Sequence, residues 1–311
     1  MSSYKRVPEL SLAEYRASDS KAEFCEHLFD GLKYYGFIIL KDHGISETLL
    51  NKAYDLTAQF FTQTAEQKSG YSDPEVFFQR GYVPFGKEHA KGNVYPDLKE
   101  MWHQGRQVSA VHPQAAAYPK NISPDYPEGF HSALNDLYTA LDDAGQLVLE
   151  ALTVGLELPI NYFDELASGG NSLLRCLHYP PLAEGVDPHC VRAAAHEDIN
   201  LITLLVAASS SGLELLDRDN KWLAVNGSKN SIIVDAGDML ARITNNVIPA
   251  TTHRVVNPQG ANLARYSMPY FLHPKSESLL SCIDVCRDGS EAVDIRADDF
   301  LKQRLQEIGV K

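Results

Sequence analysis

Between residues 173 and 271 the chain is cut into short apolar runs, and no other feature of the sequence limits its fold so tightly. The runs are Leu173–Tyr179, Ile199–Ala207, Gly212–Leu216, Trp222–Val225, Ser231–Val234, Met239–Ile243, Thr251–Val256 and Ala264–Phe271. Turn-forming clusters separate them: Pro180-Pro181, Ser209-Ser-Ser-Gly212, Arg218-Asp-Asn220 and Asn257-Pro-Gln-Gly260. Gly, Asn and Pro supply the backbone angles that tight turns need, so each run reads as a strand closed off at both ends. Strands this short and this evenly spaced imply a jelly roll or barrel, in which two sheets bury each other's inner faces.

A long helix precedes them. From Gly129 to about Leu156 the residues Leu134, Leu137, Tyr138, Leu141, Ala144, Leu147, Val148, Ala151 and Leu152 recur at helical spacing, which predicts a core-packing helix. Nearer the start, Ala22, Cys25, Leu28, Phe29 and Leu32 fall on one face of a helix expected from Ser20 to about Tyr34, with Ser20 as cap and Glu23 three residues on. Gly36-Phe-Ile-Ile-Leu40 reads as a buried strand, and a second helix is expected from Ser46 to about Thr62. Residues 69–127 lack periodicity and are rich in Pro, Gly and Tyr, so they read as a long irregular stretch of the kind used for lids and binding loops. A last helix is expected from Asp298 to Val310. The expected fold is mainly β with flanking helices: a jelly-roll core and a helical N-terminal region, divided at residues 1–128 and 129–311, within one compact domain or two.

Charge narrows the partners. The 311 residues carry a formal net charge of −13, which repels phosphate backbones and disfavours a nucleic-acid partner. A small-molecule substrate is left open, because a site can be locally basic on an acidic protein. The five cysteines are odd in number and form no CxxC, as expected of free thiols in a reducing compartment. The start has no secretory apolar core, and no apolar run nears the ~18 residues of a membrane span, so a cytoplasmic protein without membrane contact is expected.

The first chemical signal is His196-Glu-Asp198. On a strand, residues two apart share a face, so His196 and Asp198 can reach one metal while Glu197 turns away. His253, in a later run, would complete two imidazoles and a carboxylate, the set that leaves positions open in non-haem Fe(II) oxygenases. An HxD pair recurs by chance in many chains, and a lone His is more often structural. Arg265-Tyr-Ser267 adds weight: a guanidinium and a hydroxyl on one strand face suit one end of a dicarboxylate.

With these residues the sequence resembles the 2-oxoglutarate/Fe(II) dioxygenases, in the branch that includes isopenicillin N synthase and the plant flavonoid and gibberellin oxygenases. The C-terminal half carries the resemblance in Ala195-His-Glu-Asp198, Ile202-Thr-Leu-Leu205, Gly212-Leu-Glu-Leu215, Trp222, Gly237-Asp238, Thr244-Asn-Asn246, Thr252-His-Arg-Val255 and Arg265-Tyr-Ser267. The N-terminal half carries it in Val7-Pro-Glu-Leu10, Tyr35-Gly-Phe-Ile38, His43-Gly-Ile45 and Phe60-Phe61. The resemblance implies a double-stranded β-helix (jelly roll), with Fe(II) on His196, Asp198 and His253 and with 2-oxoglutarate and O2 as co-substrates. It places the distal carboxylate of 2-oxoglutarate on Arg265 and Ser267 and adds a bond from Tyr179. Leu177 stands where the family has Asn in its Asn-x-Tyr-Pro-Pro strand.

The resemblance also sets residues 77–106 over the barrel mouth. There Arg106 or Glu100 would meet a charged substrate and Tyr82 or Trp102 would wall the pocket, unless these side chains only anchor a long loop. Phe271, further along the face of Arg265 and Ser267, is a further pocket candidate. The implied reaction is oxidation, usually hydroxylation, of a small molecule. Two alternatives stand beside it: an oxidase of the same fold that needs no 2-oxoglutarate, as in isopenicillin N synthase, and a non-catalytic metal-binding jelly roll.

Overall fold

A computed structural model describes residues 6–17, 21–76, 78–87, 95–109, 111, 115, 118–187, 189–206, 210–228 and 230–307. The chain opens with β1 (Glu9–Ser11), α1 (Leu12–Arg16), α2 (Lys21–Tyr35) and β2 (Phe37–Lys41). Then come α3 (Glu47–Phe61), α4 (Ala65–Ser69), β3 (Gly81–Val83) and β4 (Glu100–Gly105). The Ser46 hydroxyl accepts from the Leu49 amide and so caps α3, satisfying one of the amides that a helix start leaves open. Next are the long α5 (Phe130–Gly155), α6 (Tyr162–Ala167) and β5 (Leu173–Tyr179). The remainder is β6 (Ala193–His196), β7 (Ile202–Val206), β8 (Leu213–Leu216), β9 (Trp222–Ala224), β10 (Ile232–Ala236), α7 (Asp238–Ile243), β11 (His253–Val255), β12 (Arg265–Leu272), β13 (Leu279–Leu280), β14 (Ile295–Arg296) and α8 (Ala297–Glu307).

Two sheets form the jelly-roll core. The larger has eight strands in the order β1-β2-β10-β7-β12-β5-β4-β3, and the smaller has β6-β11-β8-β9. The larger sheet has helices on its outer face and the site on its inner face. Outward residues Ile38, Leu40, Trp102, Leu174, Cys176, Leu204, Val234, Met268 and Tyr270 join the buried cluster that includes Leu134, Leu137, Leu141 and Val148 of α5. Inward residues Phe37, Ile39, Leu205 and Ile233 meet Leu213, Leu215 and Val255 of the smaller sheet. The helix α5 sits so close that a Cβ on its Gly145 would lie 2.6 Å from the Leu272 Cδ1, so a larger residue there would have to push that side chain aside.

Three expectations change. Met239–Ile243 is a helix, not a strand, because the amides of Asp238 and Met239 bond the carbonyls of Asp198 and Asn200 and the chain coils to bury Met239, Leu240 and Ile243. A short apolar run does not reveal this, since buried helix and strand look alike over five residues. The stretch 69–127, read as irregular, holds β3 and β4; β4 is buried along its whole length, so it lacks the polar alternation that marks a half-exposed strand. Its register also brings the N-terminal part into the same sheet, with β2 on β10 and β4 on β5. Finally, β6 ends at His196, and Asp198 lies two residues beyond it, where the chain turns away. The expected cap Ser20, Ala207 and residues 308–310 of the expected last helix lie outside the described residues.

Candidate active site

The facing sheets enclose a cavity of about 440 Å³. His196 closes β6 and His253 opens β11, and the two are register partners, so their rings lie 4.4 Å apart between centroids. Asp198 Oδ1 lies 3.8 Å from His196 Nε2 and 3.9 Å from His253 Nε2. One donor atom from each of the three falls within 4.8 Å of the others. His196 Nδ1 donates to the Ala194 carbonyl at 2.7 Å, and His253 Nδ1 to the Thr251 carbonyl at 3.1 Å. Those bonds fix the tautomers and aim both Nε2 lone pairs at the space beside Asp198. Two imidazoles and a carboxylate on one side of a point fit Fe(II) with open positions opposite. Glu197 is exposed and accepts from the Thr252 hydroxyl.

Electrostatics favour the forms a metal needs. Burial, then the neighbouring His253, pulls His196 down to about 4 against the opposing pull of Asp198. Burial pushes Asp198 up, but His253, His196 and the Thr203 hydroxyl outweigh it, and its carboxyl lies below the usual range. Asn200 Nδ2 donates to Thr203 Oγ1 at 2.8 Å, and Thr203 in turn donates to Asp198 Oδ2, which orients the carboxylate. Asp235, on the inner face of β10, is raised well above a normal carboxylate by burial and then by the charge of Asp198. No sequence motif points to Asn200 or Asp235; Thr203 stands within a matched motif that assigns it no role.

Arg265 and Ser267 lie on the inner face of β12, with Arg265 only 1% exposed. Arg265 Nη1 donates to Ser267 Oγ at 3.1 Å and Nε to the Ser210 carbonyl at 3.2 Å. Tyr179 is the register partner of Arg265, whose guanidinium stands 5.0 Å from its ring centre. Arg192, which sequence reading misses, lies 5.9 Å from the centre of the same ring. Leu177 pairs with Ser267 across the sheet and packs among Val83, Met101 and Tyr179, so the space beside the serine is apolar.

The expected substrate residues divide. Phe271 lines the cavity. Tyr82, Glu100, Trp102 and Arg106 do not, and strand alternation explains the first three: they share the outward face while His103 points in. Trp102 packs against Phe60 at 4.8 Å and Phe130 at 5.3 Å between ring centres. Glu100 is buried with three donors, Lys68 Nζ at 2.7 Å, Tyr82 Oη at 2.5 Å and His178 Nδ1 at 2.7 Å. Arg106, past the end of β4, pairs with Asp142 of α5 at 2.9 Å. The cavity wall is built instead from Phe78, Arg80, His103, Asn171, Arg175 and His273, and α8 adds Leu301 and Leu305. Arg175 shares the strand face of Leu177 and Tyr179, a signal present in the sequence; Arg80 sits in aperiodic chain and gives none.

Comparison with known proteins agrees with this geometry. Residues 7–126 match the model described as the non-haem dioxygenase in morphine synthesis N-terminal family, and residues 170–274 match the 2OG-Fe(II) oxygenase superfamily. A 2-oxoglutarate-Fe(II) type oxidoreductase, ppzD, of Metarhizium rileyi is 32% identical over 89% of this chain and 83% of its own. The crystal structure of a 2OG-Fe(II) oxygenase family protein from Caulobacter crescentus is 39% identical, with a TM-score of 0.87 over 96% of this chain and 98% of that one. A full-length protein of Neurospora crassa, solved in complex with alpha-KG and thymine, is 29% identical with a TM-score of 0.84, covering 96% of each chain. The chain belongs to the 2OG-Fe(II) oxygenase superfamily. It is accordingly a 2-oxoglutarate-dependent non-haem iron dioxygenase.

Proposed function

We propose that the enzyme hydroxylates a small molecule in the cavity between its two sheets, with each step of positioning assigned to named residues. His196, Asp198 and His253 would hold Fe(II), which supplies O2 activation coupled to decarboxylation of 2-oxoglutarate to succinate and CO2. The bonds to the Ala194 and Thr251 carbonyls place the ring proton on Nδ1 and leave Nε2 to face the site, and Thr203 holds the carboxylate of Asp198 in one orientation. Arg265 and Ser267 would receive the distal carboxylate of 2-oxoglutarate, with Tyr179 beside them. Leu205, Leu213 and Val255 line the same space and give it an apolar wall. The observation that carries the reading is that the three ligand residues, at β6 and β11 of the smaller sheet, and the Arg265–Ser267 pair, on β12 of the larger, line one cavity between the two sheets.

The cavity of about 440 Å³ between the sheets and the net charge of −13 support a small molecule over nucleic acid as substrate. Among the described residues no helix is long and apolar enough to cross a membrane, and the five cysteines are free and buried, which supports a cytoplasmic location.

The test is turnover of 2-oxoglutarate to succinate under O2. Succinate should form saturably, and Arg265→Gln should raise the KM for 2-oxoglutarate by about 10- to 100-fold, since hydrogen bonds to a charged group are worth ~1.5–3 kcal/mol. O2 uptake without succinate would indicate an oxidase independent of 2-oxoglutarate. Absence of both would leave a metal-binding protein.

A further inference from the structure

Beyond the metal and clamp residues, one cation in the cavity wall lacks a counter-charge among the described residues. Arg80 is 2% exposed and borders the cavity. Its Nη1 donates to the Gln79 carbonyl at 2.7 Å and its Nη2 to Asn171 Oδ1 at 2.9 Å, while Nε is buried without an acceptor. Among the described residues no carboxylate pairs with it. Gly105 makes room for it: a Cβ there would lie 2.0 Å from the Arg80 Cζ and 2.2 Å from its Nε. Since Gly105 follows His103 on the inward-facing positions of β4, the vacated space is on the cavity side.

A second guanidinium stands alongside. Arg175 is the register partner of His103, and Leu173 that of Gly105, so both arginines flank the same end of β4. Arg175 Nε donates to His103 Nε2 at 2.8 Å, and His103 Nδ1 donates to the Phe78 carbonyl at 2.6 Å. The Arg175 guanidinium lies 5.1 Å from the Phe271 ring centre. Arg265 lies at the far end of these strands, opposite Tyr179, so the co-substrate clamp and this pair do not compete for one ligand. Of the other cations lining the cavity, Lys99 is held by Asp97 at 2.8 Å and Arg304 by Asp238 at 3.0 Å. Burial lowers Arg80 only to about 10, so it stays charged at neutral pH. A buried charge without a partner is costly, and an anionic ligand would remove that cost.

We propose that Arg80, with Arg175 beside it, is the subsite for a carboxylate on the prime substrate, whose apolar part lies against Phe271 and Leu173. This rests on the reading under Proposed function and names the substrate class of that same site. A protein of net charge −13 repels anions at long range, so recognition falls to these local cations and weakens with salt.

The experiment uses the protein loaded anaerobically with Fe(II) and 2-oxoglutarate. Benzoate and phenylacetate are compared with benzamide and phenylacetamide, and thymine serves as a neutral planar probe. Binding is read from the perturbation of the iron–2-oxoglutarate absorption band. The acids should bind about tenfold or more tighter than their amides. Arg80→Gln should remove that preference with the band itself retained. Asn171→Asp, which gives Arg80 a carboxylate of its own, should weaken acid binding without removing the guanidinium, and it keeps the test open if Arg80→Gln fails to fold. The proposal is overturned by amides or thymine binding as tightly as the acids, by a preference that survives both variants, or by no response to any acid at millimolar concentration. Absence of the band in the unaltered protein would instead bring down the underlying reading, and this proposal with it.

Discussion

On β12, Tyr266, Met268, Tyr270 and Leu272 turn to the helices, while Arg265, Ser267, Pro269 and Phe271 turn to the cavity. The same split runs through β4, where Trp102 faces out and His103 faces in, and through β5, where Cys176 faces out and Arg175 faces in. Polar groups occur on both faces, but they are treated differently. Outside, Glu100 meets three donors and its acceptor capacity is filled from within the protein. Inside, Arg80 Nε has no acceptor among the described residues, and the Nε2 atoms of His196 and His253 converge on the carboxylate of Asp198. The comparison teaches that Glu100 is filled from within the protein and serves stability, whereas Arg80 and the two imidazoles leave bonding capacity at the cavity; the buried Trp102 Nε1 on the outer face also lacks an acceptor, so an open polar atom alone does not mark a ligand site.

Substitutions on the outer face should separate those duties. Trp102→Ala should have the largest effect on stability, about 3–5 kcal/mol, seen as a lower Tm, because the ring fills space among Phe60, Tyr71 and Phe130 that the surroundings cannot collapse into. The folded fraction should still bind Fe(II) and 2-oxoglutarate. If that binding fails while the fold is intact, the two faces are not separable.

Glu100→Gln should cost about 3 kcal/mol, since it leaves the buried Lys68 without its partner. Burial pushes Glu100 up, but bonds from His178, Lys68 and Tyr82 outweigh it and hold the folded carboxyl below its usual value. Its contribution is therefore present above the unfolded value of about 4.3 and is lost as pH falls through the lower folded value. Urea titrations should show the gap between wild type and variant at neutral pH and its narrowing below about pH 4. A gap that widens on acidification would contradict the sign.

Leu177→Asn sharpens the boundary between the faces. It places an amide in the apolar group of Val83, Met101 and Tyr179, at a cost of about 1–2 kcal/mol in Tm measurements. The KM for 2-oxoglutarate should move by less than the Arg265→Gln effect, because the clamp does not use this position.

The core is readable in the sequence because its strands are short apolar runs closed by turn residues, as in β5, β7, β8, β10 and β12, and α5 emerges from its stripe. The metal trio and Arg265–Ser267 are readable because they lie within or next to such runs. What stays hidden has one physical origin. Buried Glu100, His103 and Gln104 break up any apolar run in β4, so it reads as loop, and its outward Glu100 and Trp102 then fall to the cavity. Without a strand there is no register, and Arg80, which reaches the cavity over Gly105, has no pattern to announce it.

The central claim, that the space between the two sheets holds an iron centre on one side and a co-substrate clamp on the other, is tested most directly by anaerobic titration of the metal-free protein with Fe(II) and 2-oxoglutarate. The account predicts a visible charge-transfer band that saturates with one Fe(II) and one 2-oxoglutarate per chain, and that His196→Ala abolishes. No band in the wild-type protein, or a band that persists in His196→Ala, would contradict it.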